Sequence, residues 1–305
     1  MDTKNEIIVP YHTSVMPNEV IQGLDIKPGG MYIDATFGGG GHTDAILSKE
    51  PTCKVLAFDW DKTALGVNEP ALKEKFGERL ETHWGNFASI ALVAKKLDLL
   101  GKIDGIIADF GTSRDQLRNK PGFSWQSNTP LDMRMSNSHG EFTARNILAK
   151  ASEEELATIF HRYGEERYSR KIARYLAEAR KIQPIDTTKQ LATLVEECLN
   201  VRGHQKIHPA TRVFQALRIV VNHELDNIEN FLKAVPSVLA QNGRIVCISF
   251  HSLEDRIVKN YFKNLANQGI LQIVSTKPIV PTDEEVYKNP PSRSAKLRVA
   301  QKITT

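Results

Sequence analysis

Cysteine is scarce in this 305-residue chain. Cys53, Cys198 and Cys247 stand far apart, with no Cys-x-x-Cys pair. That spacing speaks against a zinc ribbon and against a disulfide framework. Cys53 and Cys247 lie in or beside apolar runs, where cysteine serves as small core filler. No metal is expected. Long hydrophobic runs are missing too: no stretch approaches the roughly 20 apolar residues that cross a bilayer. The opening residues, Met1-Asp2-Thr3-Lys4-Asn5-Glu6, have no apolar signal segment behind them. A cytoplasmic protein without membrane contact is the expectation. Charge of one sign is also lacking, with a net of only +4. Such a balance permits an RNA partner without arguing for one, because clustering matters more than the total. There is no internal repeat and no low-complexity tract.

What is present is ordinary globular composition, 41% hydrophobic and 25% charged. Short apolar runs at Met31 to Ala35, Lys54 to Asp59, Leu80 to Trp84 and Ile103 to Asp109 alternate with helix-length segments such as Asp44 to Lys49 and Ser89 to Leu100. That alternation predicts a parallel sheet covered on both faces. From Arg114 to Ser138 the chain turns polar, and helical periodicity follows. In Glu165 to Lys181 the residues Tyr168, Ile172, Tyr175, Leu176 and Ala179 share one helical face. Strands return at Gly243 to Phe250, Leu271 to Thr276 and Leu297 to Ile303. The simplest topology is an α/β domain from residues 1–113 and 213–305, interrupted by a mostly helical, substrate-recognising domain at 114–212.

The sharpest local signal is Asp34-Ala35-Thr36-Phe37-Gly38-Gly39-Gly40-Gly41-His42, between a strand and a helix. Glycines there let the backbone turn tightly and approach a ligand at the carboxyl end of the strand. Asp59 ends the next strand, where a carboxylate can accept hydrogen bonds from ribose hydroxyls. Asn86-Phe87 follows the third strand and can line an adenine pocket. Asp109 ends the fourth. Together these make a nucleoside pocket, although four glycines alone make only a loop and Asp59 alone can be a helix cap. The pattern does not by itself separate a nicotinamide dinucleotide from S-adenosylmethionine. In a Gly-x-Gly-x-x-Gly fingerprint the last position would be Thr43, which counts against a dehydrogenase.

Longer strings carry a resemblance. Asp34 to His42, Pro130-Leu131-Asp132-Met133-Arg134-Met135, Tyr163-Gly164-Glu165-Glu166-Arg167, His208 to Arg218, Ser249 to Arg256 and Arg293 to Arg298 resemble the bacterial 16S rRNA (cytosine-N4)-methyltransferases of the RsmH (MraW) type. The likeness runs from about Tyr11 to Lys302. It implies a class I S-adenosylmethionine-dependent methyltransferase fold, Rossmann-like with a mostly parallel sheet and an inserted helical domain. It implies methylation of a decoding-centre cytosine on its N4 amine, in the 16S rRNA of the small ribosomal subunit. It also implies cofactor contacts from Gly40, Gly41, His42, Asp59, Phe87, Asp109 and Gln116. The sequence departs from the family where Asp-Leu-Gly-Val-Ser-Ser-Pro-Gln-Leu is usual: here the string is Asp109-Phe110-Gly111-Thr112-Ser113-Arg114-Asp115-Gln116-Leu117.

Transfer of a methyl group from a sulfonium is an in-line displacement, and alignment supplies much of its rate. A cytosine amine is a poor nucleophile because its lone pair is shared with the ring. An acceptor for its N–H is therefore needed. Asp109 is the leading candidate, with cofactor binding as its other reading. Asp132 is the second, with a salt bridge to Arg134 as the alternative. His251 is the third, although Ser252 with Asp255 reads as a capping box beside it. His42 can also simply pack at its helix start. The cysteines offer no nucleophile.

For RNA, Arg167, Lys171 and Arg174 recur on one helical face, which is otherwise an ordinary solvated face. Thr211, Gln215, Arg218 and Asn222 form a polar stripe expected to knit a domain junction, with Arg212 as an exposed phosphate contact. Arg293, Lys296 and Arg298 can add phosphate contacts, unless they only protect an edge strand. Phe123 and Trp125 are candidates to stack on an extruded base. Competing functions are an NAD-dependent oxidoreductase on the same sheet and a non-catalytic RNA-binding assembly factor.

Overall fold

The structure, a computed structural model, describes residues 14–111, 120–136, 142–200 and 208–303. The chain forms two compact units: Met1–Ser113 with Asn227–Thr305, and Arg114–Asp226.

The first unit is built on a seven-stranded sheet of order β3-β2-β1-β4-β5-β7-β6. Its strands are β1 Met31–Asp34, β2 Lys54–Asp59, β3 Leu80–Trp84, β4 Ile103–Asp109, β5 Leu239–Ser249, β6 Leu271–Ile273 and β7 Lys296–Lys302. In β2 the consecutive residues Val55, Leu56, Ala57 and Phe58 are all buried. Successive side chains point to opposite faces, so such a run needs cover on both. The strands β3, β2, β1, β4 and β5 are mutually parallel, whereas β7 runs antiparallel to both β5 and β6. Strand β7 is therefore interior, not the edge strand that its lysine and arginine suggest.

The helices of this unit are α1 Pro17–Leu24, α2 Gly41–Lys49, α3 Lys62–Phe76 and α4 Ile90–Lys96. Residues from α1, α2 and α3 pack with β1, β2, β5 and β7 in one core around Tyr32, Ile46, Leu47 and Val246. Fully burying an aliphatic or aromatic side chain of this kind contributes roughly 1.5–3 kcal/mol, so the core holds the strand ends in place.

The second unit contains α5 Ala144–Lys150, α6 Glu153–Gly164, α7 Ser169–Ile182, α8 Thr188–Leu199 and α9 Thr211–Asn222. Capping boxes start three of them: Thr143 with Asn146, Ser152 with Glu155, and Thr187 with Gln190. Each satisfies orphan N–H groups of the first turn. The face of α7 differs from expectation. Ser169, Ile172, Ala173, Leu176 and Ala177 are buried, while Tyr168 precedes the helix and is 60% exposed, and Tyr175 is 38% exposed.

Helix α9 belongs to this unit, one helix beyond the boundary expected at Arg212. The reason is packing: Val213, Phe214, Ala216, Leu217 and Val221 sit in the helical core with Phe160 and Leu176. Its polar stripe also faces inward within the same unit. Gln215 donates to the Tyr163 carbonyl, 3.2 Å away. Arg218 forks onto the Glu224 carboxylate at 2.9 and 3.0 Å. Asn222 donates to the Met133 carbonyl at 2.7 Å and accepts from the Met135 N–H at 2.8 Å. The partners in these bonds all lie inside the helical unit. Helix α10, Glu224–Val238, leads back to the sheet, followed by α11 Ser252–Asn267 and α12 Asp283–Lys288.

Candidate active site

The carboxyl ends of β1, β2, β3 and β4 gather a set of polar groups in the sheet unit. After β1 the chain turns through Gly38 and Gly40, at φ 52° and 77°. That left-handed region favours glycine. Space demands it as well: a Cβ on Gly40 would lie 2.3 Å from Leu72 Cδ1, and one on Gly41 would lie 2.1 Å from Ser14 Oγ. Thr43 is equally constrained. Its hydroxyl donates to Asp34 Oδ2 at 2.7 Å, so the position where a dinucleotide fingerprint has glycine carries a buried bond here.

Asp59 ties β2 to the glycine turn. It accepts from the Gly38 N–H at 2.7 Å and from the Asp61 N–H at 2.8 Å. Each oxygen keeps acceptor capacity for another donor. Burial pushes its pKa up to about 6, against the opposing pull of those two N–H groups. Beyond β3, Asn86 caps a 3-10 turn at Phe87–Ser89 by accepting from the Ala88 N–H at 2.8 Å. Phe87 packs against Phe110 and edge-on against Phe231, with ring centroids 5.8 and 5.5 Å away.

Asp109 closes the arrangement at the end of β4. Its own N–H donates to Thr36 Oγ1 at 2.8 Å, and its Oδ1 accepts from the Gly111 N–H at 3.3 Å. The imidazole of His42 stands beside it, with Nε2 3.6 Å from Asp109 Oδ2. That is an ion-pair contact, longer than a hydrogen bond. His42 is 4% exposed, and neither ring nitrogen has a hydrogen-bond partner. Burial alone would lower its pKa, but the carboxylates of Asp109, Asp34 and Glu285 outweigh it and the pKa is raised. Asp34 has no exposed surface. Burial raises its pKa, against His42 and the bonds from Thr43 and Thr36.

Gly40, Gly41, His42, Asp59, Phe87 and Asp109 therefore line neighbouring strand ends of one unit. Gln116 and the Arg114-Asp115 departure lie outside the described residues. Sequence reasoning missed Thr36, which holds the backbone of Asp109, and Glu285. The latter accepts from the Met16 N–H at 2.7 Å and adds to the field at His42. The acidic start of α12, Asp283-Glu284-Glu285, reads as a solvated first turn and carries no signal of that contact.

The other two candidate bases fare differently. Asp132 is in the helical unit, held by Arg134 through Nε at 2.7 Å and Nη2 at 2.8 Å. Despite burial, Arg134 and then Lys120 hold its carboxyl below the usual range. The salt-bridge alternative is what the structure contains, and a carboxylate so held is a poor proton acceptor. His251 does follow β5, but the expected pairing of Ser252 with Asp255 is replaced. His251 itself is the cap residue, and Glu254 accepts from the Phe250 and His251 N–H groups at 2.7 and 3.3 Å. Its Nε2 lies 3.1 Å from Glu254 Oε1.

Among the RNA candidates, Arg167 and Lys171 are exposed. Arg174 is exposed beside Glu153 at 3.3 Å, and Arg212 is 46% exposed with Glu166 at 3.9 Å. Arg293 is exposed in a 3-10 turn, Pro290–Ser294. Arg298 is a correction. It is buried in β7 and bonds Asp255 at 2.7 and 3.2 Å, so its guanidinium is occupied internally. Phe123 is another, at 8% exposure. Trp125 stacks on His208 at 3.7 Å and 13° and packs against the helical core. Phe123 is thus buried and Trp125 is engaged by His208 and the helical core, so neither ring is presented for stacking on a base.

No helix among the described residues is long and apolar enough to cross a membrane. Comparison with known proteins adds to this geometry. A ribosomal RNA small subunit methyltransferase H from Cyanothece sp. is 47% identical over 293 residues, covering 96% of this chain and 95% of that protein. Proteins of the same description from Sulfurihydrogenibium sp. and Trichodesmium erythraeum are each 46% identical, covering 96% of this chain and 99% of theirs. The model of the MraW methylase family matches residues 10–303, a span that takes in the strand-end acids, the glycine turn and the whole helical unit. This chain belongs to that family.

Proposed function

We propose that the chain transfers a methyl group from S-adenosylmethionine to the exocyclic N4 amine of a cytosine in the 16S rRNA of the small ribosomal subunit, in the cytoplasm. The observation that carries the reading is the gathering of Asp59, Asp109 and His42 around the glycine turn at adjacent strand ends, with His42 buried and without a hydrogen-bond partner. Natural proteins pair their buried polar groups, so groups left open beside a tight glycine turn mark a ligand site. The descriptions of the relatives, all small-subunit rRNA methyltransferases, support the substrate class.

The residues fit an adenosyl ligand. The open acceptor capacity of Asp59 suits two ribose hydroxyls, and Phe87 offers an apolar wall for a purine. The glycine turn admits close backbone approach. Bound there, S-adenosylmethionine supplies an electrophilic methyl group. Asp109 accepts an N–H of the incoming amine, directing the nitrogen lone pair at the methyl carbon, and then receives the proton. His251, beyond the neighbouring strand β5, is a second group at this rim. The helical unit is the substrate-recognition part, with Arg167, Lys171, Arg174 and Arg212 as phosphate contacts and Arg293 as one from the sheet unit. Nucleoside mass spectrometry of rRNA from cells with and without the protein tests this reading. Loss of an N4-methylated cytidine supports it, as does restoration by the wild-type chain but not by Asp109→Ala. Unchanged rRNA refutes it.

A further inference from the structure

His42 is a buried titratable group for which simple ligand contact is an incomplete account. It is faced by carboxylates from three elements: Asp109 of β4, Asp34 of β1 and Glu285 of α12. Among the described residues its one close polar contact is the 3.6 Å approach of Nε2 to Asp109 Oδ2, which favours the protonated ring. The order β3-β2-β1-β4 also orients the ligand. A ligand with its purine by Phe87 after β3 and its ribose on Asp59 after β2 would reach with its sulfur-bearing end toward β1 and β4. His42 and Asp109 stand there.

From this placement we infer that His42 is the charge compensator of the pocket: it holds a proton in the ligand-free protein, releases it when the positively charged sulfonium enters, and takes up the proton shed by the amine. The inference rests on the S-adenosylmethionine reading above. A unit charge within about 6 Å of an imidazole in a site of effective dielectric near 20 changes its proton affinity by roughly a hundredfold. A proton that carboxylates hold on His42 against burial is thus loosened when such a charge arrives.

The balance closes. The amine lone pair forms the N–C bond, the C–S bond breaks, and its pair stays on sulfur. The nitrogen sheds one proton, which passes by way of Asp109 to His42 Nε2. Sulfonium and neutral imidazole become thioether and imidazolium, so the buried site has the same net charge before and after transfer. In this scheme His42 takes the proton from Asp109 and not from the amine itself.

Calorimetric titration of the full-length protein near pH 7.5, in phosphate and in Tris, counts the protons released as each ligand binds. S-adenosylmethionine is expected to release more than S-adenosylhomocysteine. Both carry the ribose, so any contribution of Asp59 cancels in the difference. In His42→Gln the difference is expected to vanish when each ligand is titrated to saturation of the variant, whatever its affinity. Should that variant fail to fold, the wild type carries the test alone. Its affinity for S-adenosylmethionine relative to S-adenosylhomocysteine is expected to fall up to tenfold per pH unit as the pH is lowered from 8 to 6. Equal proton counts with a flat affinity ratio overturn the inference while leaving the cofactor assignment intact. Failure of both ligands to bind overturns the cofactor assignment and the inference with it.

Discussion

In the helical unit the buried polar side chains find partners inside the unit. Asn222 bonds Met133 and Met135, Arg218 forks onto Glu224, and Asp132 is gripped by Arg134. At the carboxyl rim of the sheet Asp34 and Asp59 are bonded as well, to Thr36 and Thr43 and to Gly38 and Asp61, yet several carboxyl groups crowd one buried imidazole there. His42 has no hydrogen bond, and the carboxyls of Asp34 and Asp59 are pushed upward by burial. A buried imidazole without a hydrogen bond, set among buried acids, marks a ligand site more sharply than the paired groups of the helical unit do. The contrast also sorts residues that look alike in sequence: Asp109 and Asp132 are both acids in family-like strings, yet only Asp109 stands in the open set.

The contrast can be tested in order of expected effect. Arg298→Ala removes one partner of a buried ion pair and is expected to cost roughly 3–5 kcal/mol in urea unfolding. RNA affinity of the folded fraction should stay unchanged; a large loss of RNA affinity would return Arg298 to the interface. Asn222→Ala leaves a buried N–H and a buried carbonyl unpaired and is expected to cost roughly 2–4 kcal/mol. S-adenosylhomocysteine affinity should stay within about twofold of wild type, since only folding bonds are lost. Gly40→Ala is expected to cost less stability, roughly 1–3 kcal/mol, but more than tenfold in cofactor affinity by calorimetry, on the order of 1.4 kcal/mol or more. Intact binding in Gly40→Ala would break the assignment of the turn.

Smaller effects follow. The pKa of Asp59 is higher in the folded state, about 6 against an ordinary 3.8. Its contribution to stability is therefore full below about 3.8 and is lost as the pH rises through about 6. The ligand-free protein should gain roughly 1–2 kcal/mol on going from pH 7 to pH 5, at about 1.4 kcal/mol per pH unit discounted for partial exposure. Saturating S-adenosylhomocysteine should shrink that gain, because hydroxyl donors favour the carboxylate. A pH-independent stability would contradict the strained rim. Arg167→Ala should change stability by less than about 0.5 kcal/mol while lowering the salt dependence of RNA binding by about one. An unchanged salt slope would remove Arg167 from the interface.

Much of this was legible in sequence where the signal is local. The bounds expected for β2 and β4 match Lys54–Asp59 and Ile103–Asp109, because mostly apolar runs ending in an acid are unambiguous. The glycine turn and its strand-end acids were legible for the same reason. Strand β5 begins earlier than expected, at Leu239, since Gln241-Asn242-Gly243 reads as a turn and Asn242 indeed adopts φ 63°. What was illegible depends on distant partners. Nothing near Arg298 announces Asp255, nothing near Trp125 announces His208, and Glu285 resembles any acid in a first helical turn. The α7 face was misjudged because two tyrosines fit the helical period while lying at its exposed margin.

The reversed direction of β7 has a practical outcome for anyone handling the protein. Lys296 pairs with Ser249 at the rim, whereas Gln301 pairs with Arg244 at the other end of the same strand. The turn bearing Arg293 is thus delivered to the carboxyl ends of the parallel strands, while β7 finishes at their amino ends. A cut made before Pro290 would remove an interior strand and leave both β5 and β6 without their partner.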